Sequence, residues 1–290
     1  MRTLTQTITT AERAARAVWE DPLEMAMEIR ERIAERAESR GKREHGDGFM
    51  PWPPCPYVEN ENWEPALHRL LGVPWPCPEV DRFTSLWPEV TKPLTSAGTA
   101  FGRGAFAGWG DGEPGFTRAV WCITRHLRPA KVVETGVARG ITSRFILEAL
   151  EANGDGHLWS VDRPPPGRPD LRPQIGCAVP GSLRGRWSYV QGSSRRRLRE
   201  LLDALEKIEL FVHDSRHTAR NLLFELELAR AAMRSGGFLA ADDVDLNCGL
   251  HEFGGRHPHD SALVCAAEPL EPDPGRQGDR GVFAVLVKAA

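Results

Sequence analysis

The sequence predicts an α/β fold: a doubly wound, mostly parallel sheet of seven strands ending in an antiparallel hairpin, preceded by a helical and irregular extension. Three observations carry this. From residue 114 onward, short β-branched runs alternate with helical stretches. Those runs are apolar almost throughout, as strands buried on both faces are, rather than alternating in polarity. The last two runs follow one another with no helix between them, so they close the sheet as a hairpin.

In chain order, "GFTRAVWCITRHL" reads as an amphipathic helix and "KVVET" as the first buried strand. "ITSRFILEALEAN" is a helix, "HLWSVD" a strand, "RWSYVQG" a third strand and "SRRRLRELLDALEK" a helix. "IELFVHD" follows as a strand, "ARNLLFELELARAAM" as a helix and "GGFLAADDV" as the fifth strand. "SALVCAAEPL" and "GVFAVLVKA" supply the hairpin. Strands separated by helices in this way need helices on both faces of the sheet.

Ahead of this block the texture is different. Residues 10–40 carry an apolar stripe of Ala14, Ala17, Val18, Met25, Ala26, Ile29 and Ile33 at helical spacing, broken at Pro22. That stripe must be covered by the chain's own body or by a second subunit, and a homodimer is the expectation. Residues 41–62 form a Pro- and Gly-punctuated connector, "EPALHRLL" a short helix, and residues 96–115 a Gly-rich mobile loop. The division expected is an extension over 1–113, serving as lid or interface, and an α/β domain over 114–290.

Composition narrows the class. The 290 residues are 41% hydrophobic and 27% charged, with a net charge of -3, a globular balance lacking the basic excess of a nucleic-acid binder. No apolar run approaches the roughly 18–20 residues that span a bilayer. The N-terminus has no apolar core of a secretory signal. Six cysteines (55, 77, 122, 177, 248 and 265) form no C-x-x-C pair. Cys122 and Cys265 lie in apolar segments and read as buried thiols. A reduced cytoplasmic protein without nucleic-acid or membrane partners is expected.

The informative stretch is "VVETGVARG". Glu134 ends the first strand, and Gly136 and Gly140 open the next helix. The spacing is not G-x-G-x-x-G. Bare backbone beside a carboxylate suits a cationic ligand better than a pyrophosphate, which the acid would repel. In a doubly wound sheet this turn lies at the carboxyl ends of the strands, where ligands bind.

Over residues 114–290 these segments resemble the class I S-adenosylmethionine-dependent methyltransferases. The resemblance implies that Glu134, Gly136, Ala138 and Gly140 cradle the methionyl part of the cofactor, with Ser143 beside them. Asp162, twenty-eight residues after Glu134, stands where the family keeps an acid for the two ribose hydroxyls. Ser193, in "VQGSS", stands at the adenine-side loop, where Asp or Ala is commoner.

"LFVHDSRHTAR" and "GGFLAADDVDLN" bring Asp214, Asp242 and Asp243 to neighbouring strand ends. Like charges raise one another's pKa unless a cation neutralises them, and an oxygen-rich cluster suits Mg²⁺. The pattern resembles the metal-dependent small-molecule O-methyltransferases of the macrocin and catechol type. By position, Asp214, Asp242 and Asp243 are then metal ligands, with Asp214 also at the cofactor and in the reaction, and His217 is the proton acceptor. A hydroxyl of a small molecule, on a sugar or a phenol, is the acceptor the resemblance implies. The alternatives are a metal-independent N- or C-methyltransferase and a non-catalytic nucleotide-binding module.

Weaker features have plainer readings. "HEFGGRHPHD" gathers His251, His257, His259 and Asp260, and Cys248 stands in C-x-x-H spacing with His251. Without a second cysteine nearby, a surface loop is the reading rather than zinc. "SSRRRLRE" reads as a solvated helix face. Trp52, Trp63, Trp75 and Trp87 read as anchors of the extension, and residues 163–186 as a lid.

Overall fold

The computed structural model describes residues 22–40, 55–96, 106, 113–164, 168–267 and 281–290. Residues Ala14 to Val18 of the apolar stripe, Trp52, and all but Ser96, Phe106 and 113–115 of the Gly-rich loop lie outside them. Helix α1 spans Pro22–Arg40. Its Pro22 stands at the start, where a missing N–H costs nothing and φ is preset. A two-residue strand β1 (Glu59–Asn60) precedes α2 (Trp63–Leu71) and α3 (Pro78–Ser96).

The alternating part then begins. Helix α4 (Pro114–Leu127) leads into β2 (Lys131–Thr135), α5 (Ile141–Asn153) and β3 (His157–Asp162). Two 3-10 turns, Pro169–Gln174 and Gly181–Arg186, precede β4 (Trp187–Gln191). Helix α6 (Ser194–Leu205), β5 (Ile208–His213), α7 (Ala219–Ala232) and β6 (Met233–Ala241) follow. Helix α8 (Gly249–Arg256) and strands β7 (Ser261–Ala267) and β8 (Gly281–Val287) end the chain.

The strand order is β1-β7-β8-β6-β5-β2-β3-β4. Strand β8 pairs antiparallel with both β6 and β7, and the remaining pairings are parallel. The seven strands expected are all present, and an eighth is added. Glu59 and Asn60 pair with Val264 and Cys265 along the outer edge of β7. A sheet edge offers unpaired backbone groups, which this short segment of the extension satisfies; two residues carry no periodicity by which to be read.

Apolar side chains pack on both faces of the sheet. On one, Phe116, Phe145, Leu158, Leu210 and Phe283 are fully buried, and Trp63, Leu67, Phe83 and Val90 of α2 and α3 join the same cluster. On the other, Leu202, Phe211, Leu226, Leu239 and Phe253 pack together. Cutting one such Phe to Ala costs about 3–5 kcal/mol. The tryptophans act as anchors: Trp63 meets Phe283 edge-on at 5.2 Å and Trp87 stacks on Phe145 at 5.6 Å. Ile29 and Ile33 of α1 remain exposed in the single chain.

The cysteines depart from the reduced, unpaired set expected. Cys55 and Cys248 form a disulfide, with Cα atoms 5.5 Å apart across a sequence separation of 193. The edge pairing of β1 with β7 carries Cys55 to the start of α8, a long-range closure that no local spacing encodes. This bond also removes Cys248 from any zinc site with His251. His257 instead meets Glu227 at 2.9 Å, and Asp260 is paired with Arg230. Cys122 and Cys265 are buried thiols, and burial pushes both well above the ordinary cysteine range. No helix of the described residues is long and apolar enough to cross a membrane.

Candidate active site

Strand β2 has β5 on one side and β3 on the other, so the chain leaves β2 and β5 in different directions at their carboxyl ends. That divergence opens a crevice there. The turn after β2 fills its floor. Gly136 has φ of +86°, and a Cβ on it would lie 1.7 Å from the backbone oxygen of Asp214. The turn and the segment after β5 are therefore packed backbone to backbone, with Asp214 N–H donating to Thr135 O at 2.8 Å. Ala138 also has a positive φ, +46°, a conformation that costs on the order of 1 kcal/mol without glycine.

Glu134 is completely buried at the end of β2. Its Oε2 accepts from Ser143 Oγ at 2.6 Å and Ser160 Oγ at 2.7 Å, while Oε1 is buried with no partner. Burial raises this carboxyl to about 7 against the two serine bonds, and Asp162 adds to the rise. An orphaned, buried carboxylate oxygen beside a glycine turn suits a cationic donor such as an ammonium group.

Asp162, ending β3, accepts from the amides of Val137 and Ala138 at Oδ2, both at 3.0 Å, and from Arg163 N at Oδ1 at 2.7 Å. Three of its roughly four lone-pair sites are thus engaged by backbone. The acid ties the turn to β3, a role beyond the ribose contact expected of it. Burial pushes it above the usual range.

Residues 163–186 are ordered onto this turn over their described part. Gly176 N donates to Ala138 O at 3.0 Å, and Ala178 N to Arg139 O at 2.9 Å. A Cβ on Gly140 would come within 2.9 Å of Gly176 Cα. On the opposite rim, Ser193 caps α6 and its amide donates to Glu24 Oε1 of α1 at 2.7 Å, while its Oγ is buried with no partner. The arginines of "SSRRRLRE" are neutralised partly from the same helix: Arg196 lies 3.6 Å from Glu24 and Arg195 3.7 Å from Glu31.

The second constellation stands beyond the Gly136 turn. His217 Nε2 lies 3.7 Å from Asp243 Oδ2 and 3.9 Å from Asp214 Oδ1, and its Nδ1 is buried with no partner. Burial first, and His213 next, hold this imidazole below the ordinary histidine range, against the charges of Asp243 and Glu225. Asp242 is nearly buried, its Oδ1 unpartnered, and its amide donates to His213 O. Desolvation and mutual repulsion push Asp214 and Asp242 well above the usual carboxylate range. These donors are of the hard-oxygen type a divalent ion takes. Their spacing is looser than a coordination sphere, because among the described residues they form no set of three ligand atoms within 4.8 Å.

Sequence reasoning missed the support beneath these groups. Glu225 of α7 is fully buried. It accepts from His213 Nδ1 and Thr135 Oγ1 at Oε2, and from Ser215 Oγ and Asn221 Nδ2 at Oε1, over 2.5–2.9 Å. The signal was present: Glu225 shares a helix face with Leu222, Leu226 and Ala229, so it must enter the core.

The comparisons agree with this geometry. Residues 133–244 match a family described as a methyltransferase domain, the span from β2 to just beyond Asp243. No curated protein sequence matches the chain. Among solved structures, a Klebsiella pneumoniae protein named by inference as an O-methyltransferase is 16% identical with a TM-score of 0.51. The match covers 79% of this chain and 98% of that one. The cofactor-bound Rv0187 from MTB is 15% identical, at 0.50, over 74% and 98%. At such identities these two speak for the fold. Residues 133–244 are thus similar to a methyltransferase domain, and the described fold is the one shared with these two solved structures.

Proposed function

We propose that the enzyme moves a methyl group to a hydroxyl of a small molecule, with His217 accepting the hydroxyl proton. The observation that carries this is the placement of His217 Nε2 between Asp214 and Asp243, beside the Gly136 turn. A buried imidazole held neutral is a base at neutral pH, and the charges of Asp243 and Glu225 stabilise the imidazolium it becomes. The cofactor supplies the activated methyl, so the chain's work is to orient the acceptor and exclude water. Glu134, through its unpartnered oxygen, fits the cofactor's ammonium, and Asp162 keeps an acceptor site for a ribose hydroxyl. The name of the Klebsiella pneumoniae neighbour supports oxygen as the acceptor atom.

Asp214, Asp242 and Asp243 would hold a divalent cation such as Mg²⁺, and the ion would stabilise the oxyanion of a bound hydroxyl. Their raised pKa values and the orphaned Asp242 Oδ1 support this part. The loose spacing favours a second reading, metal-independent transfer by His217 alone, to oxygen, nitrogen or carbon. A phenolic or sugar hydroxyl of a natural product is the acceptor class and a homodimer the assembly.

The test is S-adenosylhomocysteine titration followed by release assays against phenols and sugars, with Mg²⁺ and after its removal. Methyl transfer to hydroxyls that falls at least tenfold without Mg²⁺ supports the first reading. Transfer that is indifferent to Mg²⁺ supports the second. Absence of cofactor binding would overturn both.

A further inference from the structure

His68, Cys77 and His126 meet far from the crevice. His68 lies on α2, Cys77 directly precedes α3, and His126 is in the last turn of α4. One ligand atom from each fits within 4.8 Å of the others. Cys77 Sγ is 3.0 Å from His126 Nε2, and the His68 and His126 rings are 5.5 Å apart. His68 is 1% exposed; its Nδ1 lies 2.7 Å from Glu64 O, while its Nε2 is buried with no partner.

These details suit a metal ligand set. A carbonyl that accepts from Nδ1–H fixes the tautomer whose Nε2 carries the lone pair, the arrangement ligating histidines use. A buried imidazole nitrogen with nothing to bond destabilises the fold, a cost that a metal bond would offset. Glu79 N–H points at Cys77 Sγ from 3.4 Å, a contact that a thiolate accepts. One sulfur and two imidazoles suit zinc, whose S–N and N–N ligand separations run about 3.3–3.6 Å. Cys77 Sγ and His126 Nε2, at 3.0 Å, stand slightly closer than that, and all three ligand atoms lie within 4.8 Å of one another, so small side-chain shifts would complete the set, with water in a fourth position.

We propose that His68, Cys77 and His126 bind Zn²⁺ as a structural clamp joining α2 and α3 to α4. Its place in the fold separates it from catalysis. Helix α4 ends just before β2 begins, so the clamp lies at the amino-terminal edge of the sheet, opposite Asp214 and Asp243. The metal ties helices that precede residue 114 to the first helix of the catalytic domain. The proposal rests on this cluster alone and stands or falls apart from the methyl-transfer reading.

The test is titration of the chelator-stripped full chain with Co²⁺ under argon and without reductant, so that the Cys55–Cys248 disulfide stays closed. Expected are one equivalent bound, the visible bands of tetrahedral Co²⁺, and a near-ultraviolet thiolate charge-transfer band. Zn²⁺ should displace the colour and raise the unfolding temperature by roughly 5–10 °C. Cys77→Ser should lose the charge-transfer band, and His68→Gln should weaken binding at least tenfold. Both variants are checked for folding by circular dichroism and by a cooperative thermal melt. Asp243→Asn and Cys177→Ser should keep the spectrum. Colourless wild-type protein, bands surviving Cys77→Ser, or bands lost in Asp243→Asn or Cys177→Ser would overturn the site.

Discussion

His213 Nδ1 and Glu225 Oε2 are 2.6 Å apart, both fully buried, directly under the segment that carries Asp214 and His217. Burial alone would raise Glu225; the charge and hydrogen bond of His213, with Thr135 Oγ1 among others, outweigh it and lower the carboxyl to about 2. An acid depressed in the folded state lends stability above its unfolded value and loses it as pH falls toward the folded one. Acid unfolding should therefore show a loss on the order of 3 kcal/mol between about pH 4.5 and 2. Glu225→Gln should flatten that slope in urea melts and lower stability at pH 7. Removing one partner leaves the other uncompensated, at about 3–5 kcal/mol. An unchanged acid slope would show that the pair is not ionised.

Glu134 works in the opposite sense. Its carboxyl is raised to about 7 by burial, so the folded chain holds a proton the unfolded chain has released. Stability should fall as pH rises from about 4.5 to 7, by on the order of 3 kcal/mol, and Glu134→Gln should remove the slope. Cofactor binding should run the other way, since only the ionised form attracts an ammonium. Calorimetry at pH 6, 7 and 8 should show affinity for S-adenosylhomocysteine rising through 7 in the wild type and staying level in the variant. Equal pH dependence in both would separate Glu134 from the ammonium.

Much of this arrangement was legible beforehand, for identifiable reasons. Strands β2 to β8 follow from apolar runs and their punctuation, because burial on both faces leaves little choice of residue. The strand-end acids were found because a parallel sheet gathers the carboxyl ends of its strands. What escaped was set by long-range contact. Strand β1 is two residues on an edge, and the Cys55–Cys248 bond depends on where that edge lies. Asp162 was read for the ribose alone, but its first duty is to the amides of Val137 and Ala138, visible only once β3 lies beside β2. The segment 163–186 has no periodicity because, over its described part, backbone bonds of Gly176 and Ala178 to the glycine turn, rather than an apolar face, hold it.

Gly136 offers a test of the packing between turn and site. A methyl there would meet Asp214 O at 1.7 Å and Asp214 C at 2.4 Å, both backbone atoms that cannot swing away. Gly136→Ala should cost on the order of 3 kcal/mol and weaken cofactor binding at least tenfold. Gly72→Ala is the control, since it shares the positive φ but has nothing within 4 Å; about 1 kcal/mol is expected from the backbone alone. Comparable losses in the two variants would mean that conformation, not contact with Asp214, fixes glycine at 136.

His217 carries the sharpest kinetic expectation. Its imidazole is held below the ordinary histidine range, by burial above all and by His213, while Asp243 and Glu225 pull upward. The rate should therefore rise with pH along a limb below the usual 6.5 and be flat from pH 7 to 8, where the ring is already neutral. Asp243→Asn removes one upward pull, so its limb should move to still lower pH. His217→Gln should abolish the limb and lower kcat by about 10²–10⁴-fold. Its affinity for S-adenosylhomocysteine should be unchanged, because the ring flanks the acceptor side of the Gly136 turn rather than Glu134 or Asp162. Stopped-assay profiles over pH 5–9 for the three proteins decide the matter. A wild-type limb retained in His217→Gln would assign the proton to another group, Asp214 or Asp242 being the raised carboxyls nearest it.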